Sequence, residues 1–113
     1  MTMEADLRGL LETIVPTAWP DVADTGTPMP YATYQQIGGD VINPLDNSAP
    51  GTRCAVMQIN VWAETRARAN ACIDQIEDAM RVRFSARPEA AKFCDYDHDM
   101  ERYGAQQDFR FWY

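Results

Sequence analysis

Residues Cys94 to Asp99, CDYDHD, form the most ligand-rich run in the chain, and Asp95, Asp97 and Asp99 match the first three ligand positions of a calcium loop. Two defining features of that loop fail. Met100 stands where the sharp turn needs glycine, and Gln106 stands where a bidentate glutamate closes the shell. On a strand the three aspartates would share one exposed face and act as a charge-protected edge, which is the reading favoured here. His98 is the single histidine, so a multi-histidine metal site within one chain is impossible. There is no GxSxG run, and no nucleophile is paired with a base and an orienting group. Glu77 with Asp74 or Asp78 falls on the polar side of a helical pattern, where a charged solvent face is expected. No catalytic, cofactor-binding or metal-binding residues are assigned.

A second place to look for chemistry is VMQINVWAETRARAN, residues 56–70, where a strand pattern changes directly into a helix pattern. Phosphate-binding loops at such junctions use glycines to bring backbone amides up to the phosphate. Here the junction is Ala63-Glu64-Thr65, without glycine and with a carboxylate where an anion would sit, so nucleotide binding is not expected. The strand reading covers Arg53 to Trp62, with Ala55, Met57, Ile59 and Val61 on one face and Gln58 and Asn60 on the other. The helix reading follows, with Thr65 as N-cap and Ala69, Cys72, Ile73, Ile76, Met80 and Phe84 on one stripe. Pro88 is expected to mark its stop. Arg81, Arg83 and Arg87 suit the negative pole of the helix dipole.

The remaining elements frame this unit. Leu7, Leu10, Leu11 and Ile14 define one face of a helix over residues 3–14, ended by Pro16. Residues 16–30 contain four prolines and read as a loop, with room for a short turn around Trp19 to Val22. Tyr31 to Ile37 reads as a strand closed by Gly38-Gly39. Residues 40–52 read as a short edge strand at most, then a mobile loop. Lys92 to His98 is a weaker strand and Gln107 to Tyr113 a stronger one, with Phe109, Phe111 and Tyr113 on one side and Asp108, Arg110 and Trp112 on the other. This order predicts an α+β two-layer sandwich, with a mainly antiparallel sheet of about four strands, one long helix packed on it and an N-terminal helix.

At 113 residues with 46% hydrophobic side chains, the chain is expected to be a single globular domain over residues 1–113. Its formal net charge of -7 opposes general nucleic-acid binding and binding to anionic membranes. The opening MTMEADLRGLLETI is acidic and amphipathic, so neither a signal peptide nor an anchor is expected. Cys54, Cys72 and Cys94 are odd in number and widely spaced, and read as reduced core thiols of an intracellular protein. Trp62 and Trp112 fall on the polar parity of their strands. They either face an interface or are covered by the N-terminal helix, and the sequence leaves both readings open.

The run PYATYQQIGG, then VINPLDNSAPGTRCAVMQINVWAETRARANACIDQIEDAM, then the closing DFRFWY, resembles the tail-completion family of tailed bacteriophages and prophages, the tail terminators and tail-to-head joining minor tail proteins. The resemblance spans residues 1–113. Pro30, Tyr31, Tyr34 and Gln35 match the family's first strand and Gly38 and Gly39 its turn. Gln58 through Ala63 match the strand entering the helix, Ala67, Ala69 and Asn70 its early turns, and Phe109, Phe111 and Trp112 the last strand. The chain departs from the family between Thr17 and Pro28 and in its loop lengths.

What the resemblance implies is structural work without a cofactor. It implies a ring, generally hexameric, on the head-proximal end of the tail tube, which halts tube growth and joins tail to head. The implied partners are further copies of the chain, the tail tube protein and a head-completion or connector protein. DNA would pass through the lumen without specific binding, and no membrane is involved. The protein would reside in the virion tail and, during assembly, in the host cytoplasm. Interface candidates are Trp62, Trp112, Tyr34, Asn60 and Arg110 on the strands and Leu45, Asp46 and Asn47 in the loop, with loops 17–28 and 43–52 docking. The alternative is a non-enzymatic bacterial α+β module that binds a protein partner or dimerises through its tryptophan face. An enzyme built on Asp95 to Asp99 and His98 is a third and weaker reading.

Overall fold

The computed structural model describes residues 2–47 and 51–113. In chain order the elements are α1 (Met3–Leu11), β1 (Thr17–Pro20), β2 (Tyr31–Gly38), β3 (Cys54–Ala63), α2 (Arg66–Phe84), β4 (Arg87–Pro88), β5 (Phe93–Asp97) and β6 (Arg102–Trp112). They form one six-stranded sheet in the order β1-β2-β3-β6-β4, with β5 pairing β6 beside β4. All pairings are antiparallel except that of β1 with β2. The fold is therefore the expected α+β sandwich, with two more strands than expected.

Strict alternation in β3 decides which face of the sheet is dry. Ala55, Met57, Ile59, Val61 and Ala63 are all fully buried on one side. Register carries this face across the sheet, since Met57 pairs with Phe109, Ala55 with Phe111 and Val61 with Ala32. Against it lies the α2 stripe of Ala69, Cys72, Ile73, Ile76 and Met80, and Phe84 stacks on Phe111 at 4.8 Å between ring centroids. Leu7 and Leu11 of α1 join the same core cluster. Burying a side chain such as Phe109 contributes roughly 1.5–3 kcal/mol, so this single face holds most of the hydrophobic stabilisation.

The strand-to-helix turn forms as the sequence indicates. The Thr65 hydroxyl accepts from the Arg68 amide at 3.1 Å, satisfying one of the free donors of the first helical turn. The far end of α2 differs from expectation. Ser85 adopts left-handed geometry and ends the helix three positions before Pro88, which lies in β4.

Other boundaries also moved. Helix α1 ends at Leu11 and not at residue 14, because the Thr13 hydroxyl donates to the Leu10 carbonyl at 2.6 Å and the chain turns there, burying Val15. Residues 17–20, expected within a loop, form a parallel edge strand on β2. Pro16 before it and Pro20 at its end disguised it, yet an edge strand tolerates proline where no ladder donor is needed. No strand forms among the described residues of 40–52; the part of that loop at 48–50, with Pro50, lies outside the described residues. Strand β6 begins at Arg102, well before the expected Gln107.

Gln107 is polar on the core face and 4% exposed. Its Nε2 donates to Glu77 Oε1 at 2.8 Å and to the Ala90 carbonyl at 3.0 Å, which removes the cost of burying the amide. Glu77 is thus a half-buried acceptor, not part of an open solvent face. Cys54 and Cys72 are buried as expected, and burial raises the Cys72 thiol pKa; Cys94 is exposed, with its sulfur 3.1 Å from Asn70 Oδ1. No helix among the described residues is long and apolar enough to cross a membrane.

One-sided burial sets a clear expectation for mutants. Phe109→Ala should cost about 3–5 kcal/mol in urea unfolding. Trp112→Ala, on the opposite parity and 48% exposed, should cost less than about 1 kcal/mol. Equal losses would contradict a core confined to one face.

Candidate assembly surface

Because both helices pack on one side, no helix among the described residues covers the other side of the sheet, although Tyr31, Thr33, Cys54 and Val56 on it are buried. It presents Tyr31, Thr33 and Gln35 of β2, Cys54 to Trp62 by alternate residues of β3, and Gly104 to Trp112 by alternate residues of β6. The N-terminal helix does not cover Trp62, since Leu7 and Leu11 lie in the opposite core; Trp112, at the end of the sheet, borders a depression that Met3 and Asp6 of α1 also line.

Trp62 is held rigidly on this face. Its ring lies on Gly104, where a Cβ would sit 2.7 Å from the indole Cζ3, so only glycine leaves room for the flat contact. The guanidinium of Arg102 covers the ring at 4.1 Å from its centroid. Arg102 is itself fixed, donating from Nη1 to the Tyr31 hydroxyl and from Nε to Asp97 Oδ2 at 3.1 Å. Burial raises the Tyr31 pKa, with Arg102 opposing the shift.

Asp97 also accepts from the backbone amides of Asp99 at 3.1 Å and Met100 at 3.3 Å. Its two oxygens therefore serve the hairpin turn and Arg102, and Asp99 lies in that turn, away from the strand face expected for all three aspartates. His98 stacks edge-on against Tyr96 at 4.7 Å. No cluster of three or more metal-ligating side chains occurs among the described residues.

Trp112 lies at the other end of the face. By register Trp62 faces Gly104 and Cys54 faces Trp112, so eight steps along β6 separate the two tryptophan positions, roughly 27 Å at about 3.4 Å per residue. They mark opposite ends and do not form an adjacent pair. Asn60 stands half-buried between Thr33 and Gln106 in register.

Arg110 is on the same face, but its charge is engaged within the chain. It bonds Glu89 through Nε at 2.5 Å and Asp40 through Nη1 at 2.8 Å. Its hydrogen bond to Glu89, outweighing partial burial and assisted by the Asp40 charge, raises its pKa further. Tyr34 is corrected: it points to the helix side and is only 5% exposed, so it packs the core of the single chain. Leu45, Asp46 and Asn47 lie on the arm between β2 and β3, where Leu45 is fully exposed and the Asn47 amide closes a turn on the Pro44 carbonyl at 2.8 Å. Sequence parity located the face. The pairing of Arg102 with Trp62 was missed, because it joins strands through a register that the sequence does not display.

The Asp97 carboxyl gives this face a pH signature. Burial acts to raise its pKa, but the Met100 and Asp99 amides and Arg102 outweigh it, and the pKa lies below the ordinary value. A depressed carboxyl contributes stability that is complete above its unfolded pKa, about 3.9, and fades as the pH falls through the folded value. Asp97→Asn should lower stability at pH 7 and flatten the loss of stability on acidification below about pH 4. Parallel urea-unfolding profiles for the two proteins across that range would contradict the assignment.

The amino-acid sequence matches the family model "Tail completion protein gp17" over residues 4–113. No curated protein shows significant similarity to it. Among solved structures, the fold is similar to the gp17 protein of bacteriophage SPP1, with a TM-score of 0.56 at 18% identity, covering 96% of this chain and 86% of that one. It is also similar to a chain of the virion of the native gene transfer agent particle, with a TM-score of 0.55 at 17% identity, covering 96% of this chain and 92% of that one. At such identities the structural likeness speaks for the fold alone, whereas the family match extends over nearly the whole sequence. The chain belongs to the tail completion protein gp17 family and is a structural protein of the bacteriophage tail.

Proposed function

We propose that this protein caps the head-proximal end of the tail tube as a ring of six copies, ends tube growth and joins tail to head. The observation that carries this reading is the sheet face without a helix layer, on which Trp62 is locked between Gly104 and Arg102 and Trp112 remains half exposed. Rigid aromatic side chains on an uncovered face suit a protein interface, since little side-chain freedom is lost when a partner seals them from water. Trp62, Trp112, Asn60 and the Gln106 row beside it are buried against neighbours in the assembled particle. Arg110, on the same face, anchors the arm through Asp40. The partners are further copies, the tail tube protein and a head-side connector.

The net charge of -7 suits a passage through which DNA moves without adhering. The protein assembles in the host cytoplasm and ends in the virion tail, without enzymatic activity. His98 is exposed in the hairpin turn.

Purified protein added to assembled tail tubes should bind at one end only and block further extension, as seen by electron microscopy. Binding along the tube, or none, would overturn the capping role. Trp112→Ala should weaken end binding about tenfold or more while leaving the thermal unfolding midpoint within a few degrees. Undiminished capping by this variant would remove the face from the interface.

A further inference from the structure

One edge of the sheet is β5, and the bonds on either side of β6 fix which way its backbone groups point. The Glu89 amide donates to the Asp108 carbonyl at 2.9 Å on the β4 side of β6, and Arg53 and Tyr113 exchange two backbone bonds at 2.7 Å on the β3 side. The register of β3 with β6 runs without a shift, and backbone groups alternate in direction along a strand. Even-numbered residues of β6 therefore aim at β5 and odd-numbered ones at β3. Phe93, Asp95 and Asp97 stand opposite Gln106, Gly104 and Arg102, so their amides and carbonyls serve the ladder. Cys94 and Tyr96, opposite Ala105 and Tyr103, turn theirs outward to the free edge.

An outward row of this kind is a template on which another strand can pair. Phe93 and Tyr96 are strand-forming aromatics, and Phe93 is 63% exposed. The opposite edge is a poorer template, because β1 has four residues and ends on Pro20. No proline interrupts β5. Instead, the Tyr96 amide donates to Oδ1 of its neighbour Asp95 at 2.7 Å. The carboxylate thus occupies the outward donor that the carbonyl of an incoming strand would need. Asp97, by contrast, is committed to Arg102 and to the amides of the hairpin turn. The Tyr96 ring is held 4.7 Å from those of His98 and Tyr103, which fixes this part of the strand.

We propose that Asp95 blocks the free edge of the sheet, its carboxylate holding the outward Tyr96 amide and so keeping β5 of one molecule from pairing with β5 of another. Two such edges paired antiparallel would exchange bonds between Cys94 of one copy and Tyr96 of the other. That register sets the two Asp95 side chains directly opposite, and like charges so placed destabilise a strand pair. The same side chain therefore withdraws a donor and opposes the closest symmetric pairing. This inference stands apart from the capping reading, and the free protein tests it without tail tubes.

The test compares Asp95→Ala with the unaltered protein by sedimentation velocity over a range of concentrations, under reducing conditions because the Cys94 thiol is exposed. Asp95 is itself exposed, so the fold is not at risk. Asp95→Ala should shift to larger species than the unaltered protein, in growing proportion as concentration rises. Hydrogen exchange, corrected for the effect of neighbouring side chains, should find the Tyr96 amide slower than that of Cys94 in the unaltered protein. Both amides should slow further in the associated variant. Asp99→Ala, which removes a charge from the turn and not from the edge, should sediment as the unaltered protein does. Unchanged sedimentation of Asp95→Ala would overturn the proposal, as would association with protection gained elsewhere than on β5. Equal association of Asp99→Ala would show that net charge alone acts, which also overturns it. A Cys94 amide already protected in the unaltered protein would mean that the edge is paired, with the same consequence.

Discussion

The long antiparallel pairing of β3 with β6, from Cys54 opposite Trp112 to Ala63 opposite Tyr103, is the constraint on which the other features depend. It fixes the parity of both strands at once, so Met57, Ile59, Phe109 and Phe111 must share a face. A helix of nineteen residues then has one place to lie, and α1 is drawn to the same side because Leu7 and Leu11 need the same core. Had α1 crossed to the other face, the protein would have been a three-layer structure with its tryptophans inside. Concentrating the apolar layer on one side frees the opposite side for contacts that are completed only on assembly.

That free side is ordered by polar and aromatic contacts in place of a second core. The chain Asp97, Arg102, Trp62, Gly104 links the hairpin turn to the centre of the sheet, and each member restricts the next. At the opposite end Arg110 gathers Glu89 and Asp40. Two arginines thus fix two ends of one surface, and each guanidinium is paired with carboxylates of its own chain. Other chemistry-bearing side chains are likewise held by structural contacts. Asp97 and Glu77 are already committed to structural partners, and the buried Cys72 thiol has a raised pKa that disfavours its thiolate.

Much of the frame was legible in the sequence because it is written in local patterns. The alternation of residues 55–61, the stripe from Ala69 to Met80 and the Thr65 cap all formed as read. Features that depend on distant pairing were not legible. Strand β1 exists only because Tyr31 to Tyr34 offers it an edge, and Gln107 is comfortable in the core only because Glu77 and the Ala90 carbonyl meet it there. Tyr34, an interface candidate from the sequence, shares the parity of Ala32, which faces the helices, and is buried in the core. For the candidate surface, parity identified Trp62, Asn60 and Trp112, while the locking of Trp62 by Arg102 required the three-dimensional register.

The central claim is that the helix-free sheet face is covered when the tail is completed. Hydroxyl-radical footprinting of the free protein and of the protein in tail particles tests it directly, with Val82 on the exposed side of α2, 87% accessible, as the internal control. The account predicts that Trp112 and Trp62 lose reactivity in the particle while Val82 retains it. Tryptophans equally reactive in both states, with protection found on α2 instead, would contradict it.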